Sequence, residues 1–300
     1  MKVLLLGANG QLGSDIRRLW HDDGIELVSA TRADADVTDG AVVAALVGRL
    51  QPDVVINTTA FHNLPIAESD PETCLRVNVV GGWNVARAAA AAGAAMVQIS
   101  TDYVFDGERR EPYSEECARR ALNVYGAAKI ATEDVVRQMN PDCLVVRVSG
   151  LYGLAGSAGK GGNFVETMLR LAAGGQPLRV VADQVTAPTN TAAIAEGLLP
   201  LVRDGMRGVV HLAADGECSW HEFAAAIFEI SRLSPEFQAV TTEEFGGPVR
   251  RPLYSVLGSE RVARLGHWRD GLERYMAERT TRWHRRRSAG TRVTKRETPG

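Results

Sequence analysis

The segment LNVYGAAKIATE, Leu122–Glu133, sets a tyrosine four residues before a lysine among residues that favour helix. On a helix that spacing puts Tyr125 and Lys129 on one face, where a phenol and an ammonium can share a site. An isolated phenol titrates near ~10, too high to serve readily as an acid–base group at neutral pH. An ammonium about 4–5 Å away, at an effective dielectric near ~20, stabilises phenolate by roughly 3–4 kcal/mol, or about 2–3 pKa units. The chemistry this suits is carbonyl reduction, in which hydride arriving at carbon leaves charge on oxygen that a nearby donor must protonate. Tyr125 is the expected donor, and STDYVF supplies the hydroxyls of Ser100 and Thr101 to orient the carbonyl.

Hydride needs a carrier, and GANGQLG places Gly7, Gly10 and Gly13, with Asn9, Gln11 and Leu12 between them, directly after an apolar run and before a helical one. Glycine permits the tight turn, admits a pyrophosphate close to the backbone and lets helix pack on strand, while the helix N-terminus offers unpaired N–H groups to the anion. The spacing is Gly-x-x-Gly-x-x-Gly rather than the Gly-x-Gly-x-x-Gly of ordinary dehydrogenases. An acidic residue after the second strand favours NAD(H) by binding ribose hydroxyls. Here SATRADADVTD puts Arg32 in that neighbourhood, so NADP(H) is the expected cofactor and NAD(H) the alternative, with Asp36 and Val37 placed to touch the adenine.

These residues must be carried by a sheet. Val3–Leu6, Glu26–Ala30, Asp53–Asn57, Met96–Ser100 and Cys143–Ser149 read as strands separated by crossover helices, one of them VNVVGGWNVARAAAAAG with Gly93 as its C-cap. That alternation predicts an α/β fold, a Rossmann-type doubly wound parallel sheet with a smaller C-terminal substrate-binding lobe. Residues 1–150 form the expected dinucleotide-binding domain, with a returning segment near 190–214 that includes the run Gly208–Ala213. Residues 151–189 and 215–283 form the substrate lobe, and 284–300 a basic tail without fixed structure. Of 300 residues 45% are hydrophobic, enough for a large core, and the net charge of −2 argues against nucleic acid or an anionic membrane as partner. Cys74, Cys117, Cys143 and Cys218 fall at no metal or redox spacing. The opening apolar run is too short for a signal peptide, so a cytoplasmic protein is expected.

The glycine triplet, Tyr125-x-x-x-Lys129 and the upstream hydroxyl resemble an extended short-chain dehydrogenase/reductase. STDYVFDG, NVYGAAK, GNF, DQVTAPT, SWHEFA and RPLYSVL, in that order to about Tyr275, resemble the dTDP-4-dehydrorhamnose reductase family. The resemblance implies Thr101, Tyr125 and Lys129 as catalytic triad. It also implies Thr59, Ala60 and Phe61 along the cofactor, and Asp102, Tyr103 and Asn163 beside a sugar-nucleotide substrate. The implied reaction reduces the 4-keto group of dTDP-4-keto-6-deoxy-L-mannose, with Thr101 bonded to the keto oxygen and no metal in the chemistry. A homodimer is an implied partner state, and some members bind a structural magnesium at a dimer contact, which the sequence does not place.

Two departures bear on the substrate. The third βα loop, TAFHNLPIAE, replaces the family's Asp-Lys pair with Pro65 and Ile66 and brings in His62, a loop residue or a substrate contact. After the fifth strand VSGLY sets Gly150 where the family commonly has a tryptophan against the sugar. A vacated volume at Gly150 would admit a 4-keto sugar nucleotide other than the rhamnose precursor. Against catalysis stands the reading as a dinucleotide-binding regulatory subunit like the methionine adenosyltransferase beta subunit; an epimerase or dehydratase of the same fold is a further alternative.

Overall fold

The computed structural model describes residues 1–20, 24–156 and 162–291, with side chains as far as Thr281. In chain order the first half holds β1 (Lys2–Leu6), α1 (Gln11–Leu19), β2 (Glu26–Ala30), α2 (Gly40–Leu50), β3 (Val54–Asn57), α3 (Leu64–Ser69), α4 (Pro71–Leu75), α5 (Gly81–Ala91), β4 (Ala95–Thr101), α6 (Val124–Met139) and β5 (Leu144–Val148). There follow α7 (Phe164–Ala173), β6 (Leu178–Val181), β7 (Val185–Thr186), α8 (Thr191–Arg203), β8 (Gly208–His211), β9 (Ala214–Asp215), β10 (Cys218–Ser219), α9 (Trp220–Ser231), β11 (Phe237–Val240), α10 (Thr242–Phe245), β12 (Leu265–His267) and α11 (Trp268–Thr291).

One six-stranded sheet has the order β2-β1-β3-β4-β5-β8, and every neighbouring pair in it is parallel. Both faces are covered, which is why its strands read as unbroken apolar runs. Val3 and Leu5 of β1 pack with Ile16 and Trp20 at α1 and with Ile194 and Leu198 of α8. Leu4 and Leu6 pack the other way, onto Val43 and Val47 of α2 and Val85 and Ala89 of α5. The chain reverses its direction of travel between β1 and β3, and the crevice at the carboxyl ends of strands on either side of such a switch is where open α/β sheets bind ligands.

The helix expected from Val77 onward is not continuous. A π turn over Arg76–Val80 joins α4 to α5, and Gly93 at φ +66° lies just beyond the end of α5. The π turn carries Asn78 inward at 3% exposure, and a wide turn of this kind inside a helix frequently marks a functional region.

The second lobe has its own core, in which Val165 and Met168 of α7, Phe223 and Ile227 of α9, and Trp268, Leu272 and Tyr275 of α11 meet. SWHEFA serves this lobe structurally: Ser219 caps α9 in a reciprocal box with Glu222. β8 rejoins the first sheet beside β5. The backbone of α11 runs to Thr291, and the remainder of the basic segment, 292–300, lies outside the described residues. No described helix is long and apolar enough to cross a membrane.

Candidate active site

Tyr125, Lys129 and Glu133 follow one another at four-residue steps along α6, so one stripe of the helix faces the sheet. Glu133 anchors the lower end. Its Oε1 accepts from Ser100 at 2.5 Å and from Arg147 Nε at 2.9 Å, while Oε2 accepts from Arg147 at 2.8 Å and Arg119 at 3.2 Å. Burial pushes the Glu133 carboxyl up, but the Arg147 guanidinium, Ser100 and Arg119 more than reverse this and hold it below the ordinary range. The upper end is fixed by two acceptors: Asn123 caps α6 through the Gly126 N–H at 2.8 Å, and Glu68 on α3 accepts from the Val124 N–H at 2.8 Å.

Alternation along β4 separates the two hydroxyls that the sequence offered. Ser100 turns to Glu133 and away from chemistry. Thr101, at the strand's end, faces the Tyr125 hydroxyl, accepts from the Tyr103 N–H at 3.2 Å and donates to Asp102 at 3.0 Å. The rings of Tyr103 and Tyr125 meet edge to face with centroids 6.1 Å apart.

The expected depression of the Tyr125 pKa by Lys129 is overturned. Burial raises the phenol above its ordinary value, with the Asp102 charge adding to the effect, and Thr101 offsets only part of it. The Lys129 ammonium instead donates to the Ile99 carbonyl at 2.6 Å. Burial also brings its own pKa down to about 8. Desolvation of both groups outweighs their mutual attraction, so Tyr125 stands as a proton-bearing acid at neutral pH.

The glycine loop fits a dinucleotide. Gly7 adopts φ +80°, and a Cβ there would lie 2.6 Å from the Thr58 hydroxyl; one at Gly13 would collide with the Gly7 carbonyl. Gly10 caps α1 without a side-chain bond, and no acid lies in the first turn, so the amide end faces the crevice with nothing negative before it. Asn9 is exposed there, Leu12 is buried beneath, and Gln11 accepts from the Gly153 N–H at 3.0 Å, tying the loop to the segment after β5. Across the switch point Asn57 Oδ1 holds Thr59 by both its amide (3.1 Å) and hydroxyl (2.6 Å), with Ala60 and Phe61 following.

At the end of β2 the arrangement differs in part from expectation. Arg32 is exposed at the crevice edge, its Nε on Asp36 at 3.0 Å. The Asp36 carboxylate also accepts from the Thr38 amide and hydroxyl, so it is already satisfied. Val37 does not offer its side chain to a ligand, because it is buried against Gly81.

Three substrate-side expectations are corrected. Asn163 caps α7 through the Glu166 N–H at 3.0 Å and donates to the Gly153 carbonyl and the Tyr275 hydroxyl, so its side chain is fully engaged within the second lobe. Asp102 is 3% exposed and turned inward. Gly150 does not leave a vacated volume at its own position: it adopts φ +54°, and a Cβ there would meet the Pro188 backbone at 3.0 Å. His62 lies on the loop after β3 with Nδ1 3.3 Å from the Ala60 carbonyl.

Sequence reasoning missed Asn78, whose side chain clamps both backbone groups of Phe61, accepting at 3.2 Å and donating at 2.9 Å. It also missed Glu68 and the residues that surround Asp102. Of these only Glu133, on the Tyr125–Lys129 stripe, carried a local signal.

Residues 1–281 match the family model described as RmlD substrate binding domain. The chain is 38% identical over 284 residues to the spore coat polysaccharide biosynthesis protein SpsK of Bacillus subtilis, covering 93% of this chain and 98% of that protein. It is 36% identical over 300 residues to the dTDP-4-dehydrorhamnose reductase of Salmonella typhimurium, covering 94% and 99%. The crystal structure of the Bacillus anthracis dTDP-4-dehydrorhamnose reductase in complex with NADP superposes with a TM-score of 0.88 at 34% identity, over 92% of this chain and 99% of that one. With a family model spanning all but the basic end, and relatives matched along nearly their whole length, the chain belongs to the dTDP-4-dehydrorhamnose reductase family.

Proposed function

We propose that the protein uses NADP(H), in preference to NAD(H), to reduce the 4-keto group of a dTDP-linked 4-keto-6-deoxyhexose. The observation that supports this best is the meeting of Tyr125 with Thr101 at the carboxyl end of β4, beside the uncapped N-terminus of α1. A protein that served only as a dinucleotide-binding subunit would need the glycine loop but no proton donor at that place.

The glycine loop and α1 would hold the pyrophosphate, Arg32 the 2′-phosphate of NADP(H), and Thr59 to Phe61 the opposite wall of the crevice. When bound, the dinucleotide supplies hydride to the carbonyl carbon. Tyr125 Oη gives its proton to the carbonyl oxygen as charge develops there, and the phenolate that remains lies on the same helix face as the Lys129 ammonium. Burial suits Tyr125 to this role, since it keeps the proton on the phenol until an oxygen with growing negative charge takes it.

His62 and Gly150 are the residues through which this chain would select among 4-keto sugars. Pro188, standing against Gly150, takes the place of a side chain there and leaves a shorter wall than an indole would. Oxidation of NADPH with a panel of dTDP-, UDP- and GDP-linked 4-keto sugars tests the proposal. Turnover confined to dTDP-4-keto-6-deoxyhexoses is the expected result, and cofactor binding without turnover of any sugar refutes it. Within that class, kcat/KM above about 10⁴ M⁻¹s⁻¹ for dTDP-4-keto-6-deoxy-L-mannose, exceeded by no other sugar, would assign the ordinary rhamnose precursor.

A further inference from the structure

Asp102 is a buried carboxylate with no ion-pair partner among the described residues, directly beside Thr101. Three hydroxyl protons converge on it. Thr101 donates to Oδ1 at 3.0 Å, while Ser149 and Ser255 donate to Oδ2 at 3.1 and 2.7 Å. Behind them the Thr186 hydroxyl lies 2.6 Å from that of Ser149 and 3.2 Å from that of Ser255. Ser149, Thr186 and Ser255 are each no more than 4% exposed, so water does not compete for these bonds. An unpaired buried charge is expensive, and hydroxyls alone offset it less well than a cation would. Nothing in the packing of β4 requires a carboxylate here.

A threonine hydroxyl has one proton and two lone pairs. The proton of Thr101 goes to Asp102 and one lone pair takes the Tyr103 N–H. What remains toward Tyr125 is a lone pair. A Thr101 proton turned to Tyr125 would favour phenolate, and one turned to the substrate would bond the keto oxygen, but the same proton cannot serve either while Asp102 holds it.

We propose that Asp102 is a positioning residue for the reduction: by taking the only proton of Thr101 it makes Thr101 an acceptor for the Tyr125 hydroxyl, which fixes where the phenol presents its proton. Asp102 is therefore not a sugar contact, and Thr101 is not the donor to the keto oxygen. Ser149, Thr186 and Ser255 belong to three separate stretches, the end of β5, β7 and the segment before β12, so the orientation of Tyr125 depends on the second lobe being seated against the sheet. The proposal rests on the reductase reading above.

The test is steady-state kinetics of the full chain with NADPH and the 4-keto sugar nucleotide that the wild type reduces best. In Asp102→Asn the Oδ2 side must remain an acceptor for two serines, so the amide nitrogen faces Thr101 and reverses the direction of that bond. We expect kcat to fall about 10- to 100-fold, the worth of one charge-assisted hydrogen bond, with KM for the sugar nucleotide within about 2-fold of wild type. In a Thr101→Val background the same substitution should change kcat by less than about 2-fold, because its effect passes through the missing hydroxyl. Ser255→Ala, which keeps the carboxylate and removes one of its donors, should show a smaller loss in kcat with the same KM, and it carries the test if Asp102→Asn does not fold. A raised KM with unchanged kcat in either variant, or a full Asp102→Asn effect in the Thr101→Val background, overturns the proposal while leaving the reductase intact. A wild type that reduces no 4-keto sugar nucleotide overturns both.

Discussion

Replacing Glu133 by Gln removes the charge that fastens the catalytic helix to the sheet while keeping the side chain's shape. Glu133 is 1% exposed and receives donors from Ser100, Arg119 and twice from Arg147, itself 2% exposed. In the variant an amide NH₂ must face at least one of these donors, and the Arg147 guanidinium is left in the interior without its counter-charge. Arg147 keeps a contact of 3.2 Å with the ring of His211, whose pKa is lowered by burial and then by the Arg147 charge, so His211 cannot replace the lost anion. Breaking one partner out of a buried ion pair costs about 3–5 kcal/mol, a large part of the roughly 5–15 kcal/mol that holds a folded domain. Urea unfolding followed by circular dichroism should show a loss of that size, with the slope of the transition unchanged. Arg147→Met in the Glu133→Gln background should restore part of it, because the uncompensated cation is then gone. A loss below about 1 kcal/mol for Glu133→Gln would show that water or a neighbour satisfies Arg147, and that Glu133 does not hold α6.

Tyr125→Phe should lower turnover at least about 10²-fold, the scale of general acid catalysis, while NADPH affinity measured by fluorescence titration stays within about 2-fold; near-normal turnover would exclude Tyr125 as proton donor. Arg32→Ala should weaken NADPH binding by about 1.5–3 kcal/mol and leave NADH almost unchanged, whereas equal losses for both would reduce Arg32 to a support for Asp36. Lys129, with its pKa brought down to about 8 by burial, makes stability depend on pH. The unfolded chain keeps this proton to about 10.4, so between roughly 8 and 10 the unfolded state binds more protons and Lys129 destabilises less as pH rises. The difference in urea midpoint between Lys129→Met and wild type should therefore shrink over that range, and a constant difference would place the ammonium in a solvated environment.

What the sequence revealed followed from local periodicity. Gly7, Gly10 and Gly13 declare a turn because only glycine fits the backbone approach made there, and Tyr125 and Lys129 declare a shared face because helical spacing alone brings them together. The strands were legible because both faces of the sheet are buried, which makes each an unbroken apolar run. Long-range meetings left no such mark. Ser255 joins Asp102 across 153 positions and Asn78 reaches Phe61 from a π turn that a plain helical pattern does not distinguish. The direction of the Tyr125 shift was also out of reach, since spacing suggests an attraction between Tyr125 and Lys129 but says nothing of how deeply both are desolvated. Gly150 shows the same limit: an absent indole reads as space, yet the backbone of Pro188 already stands against that position.

Reduction of a dTDP-linked 4-keto-6-deoxyhexose by the wild-type protein and by Tyr125→Phe, followed through NADPH consumption and by NMR of the sugar, tests the central claim most directly. The wild type should convert the ketone at C4 to an alcohol with one NADPH oxidised per sugar, and Tyr125→Phe should bind the same cofactor and nearly cease to turn over. NADPH binding by the wild type with no alcohol formed from any nucleotide-linked 4-keto sugar would contradict the account and leave a dinucleotide-binding subunit in place of an enzyme.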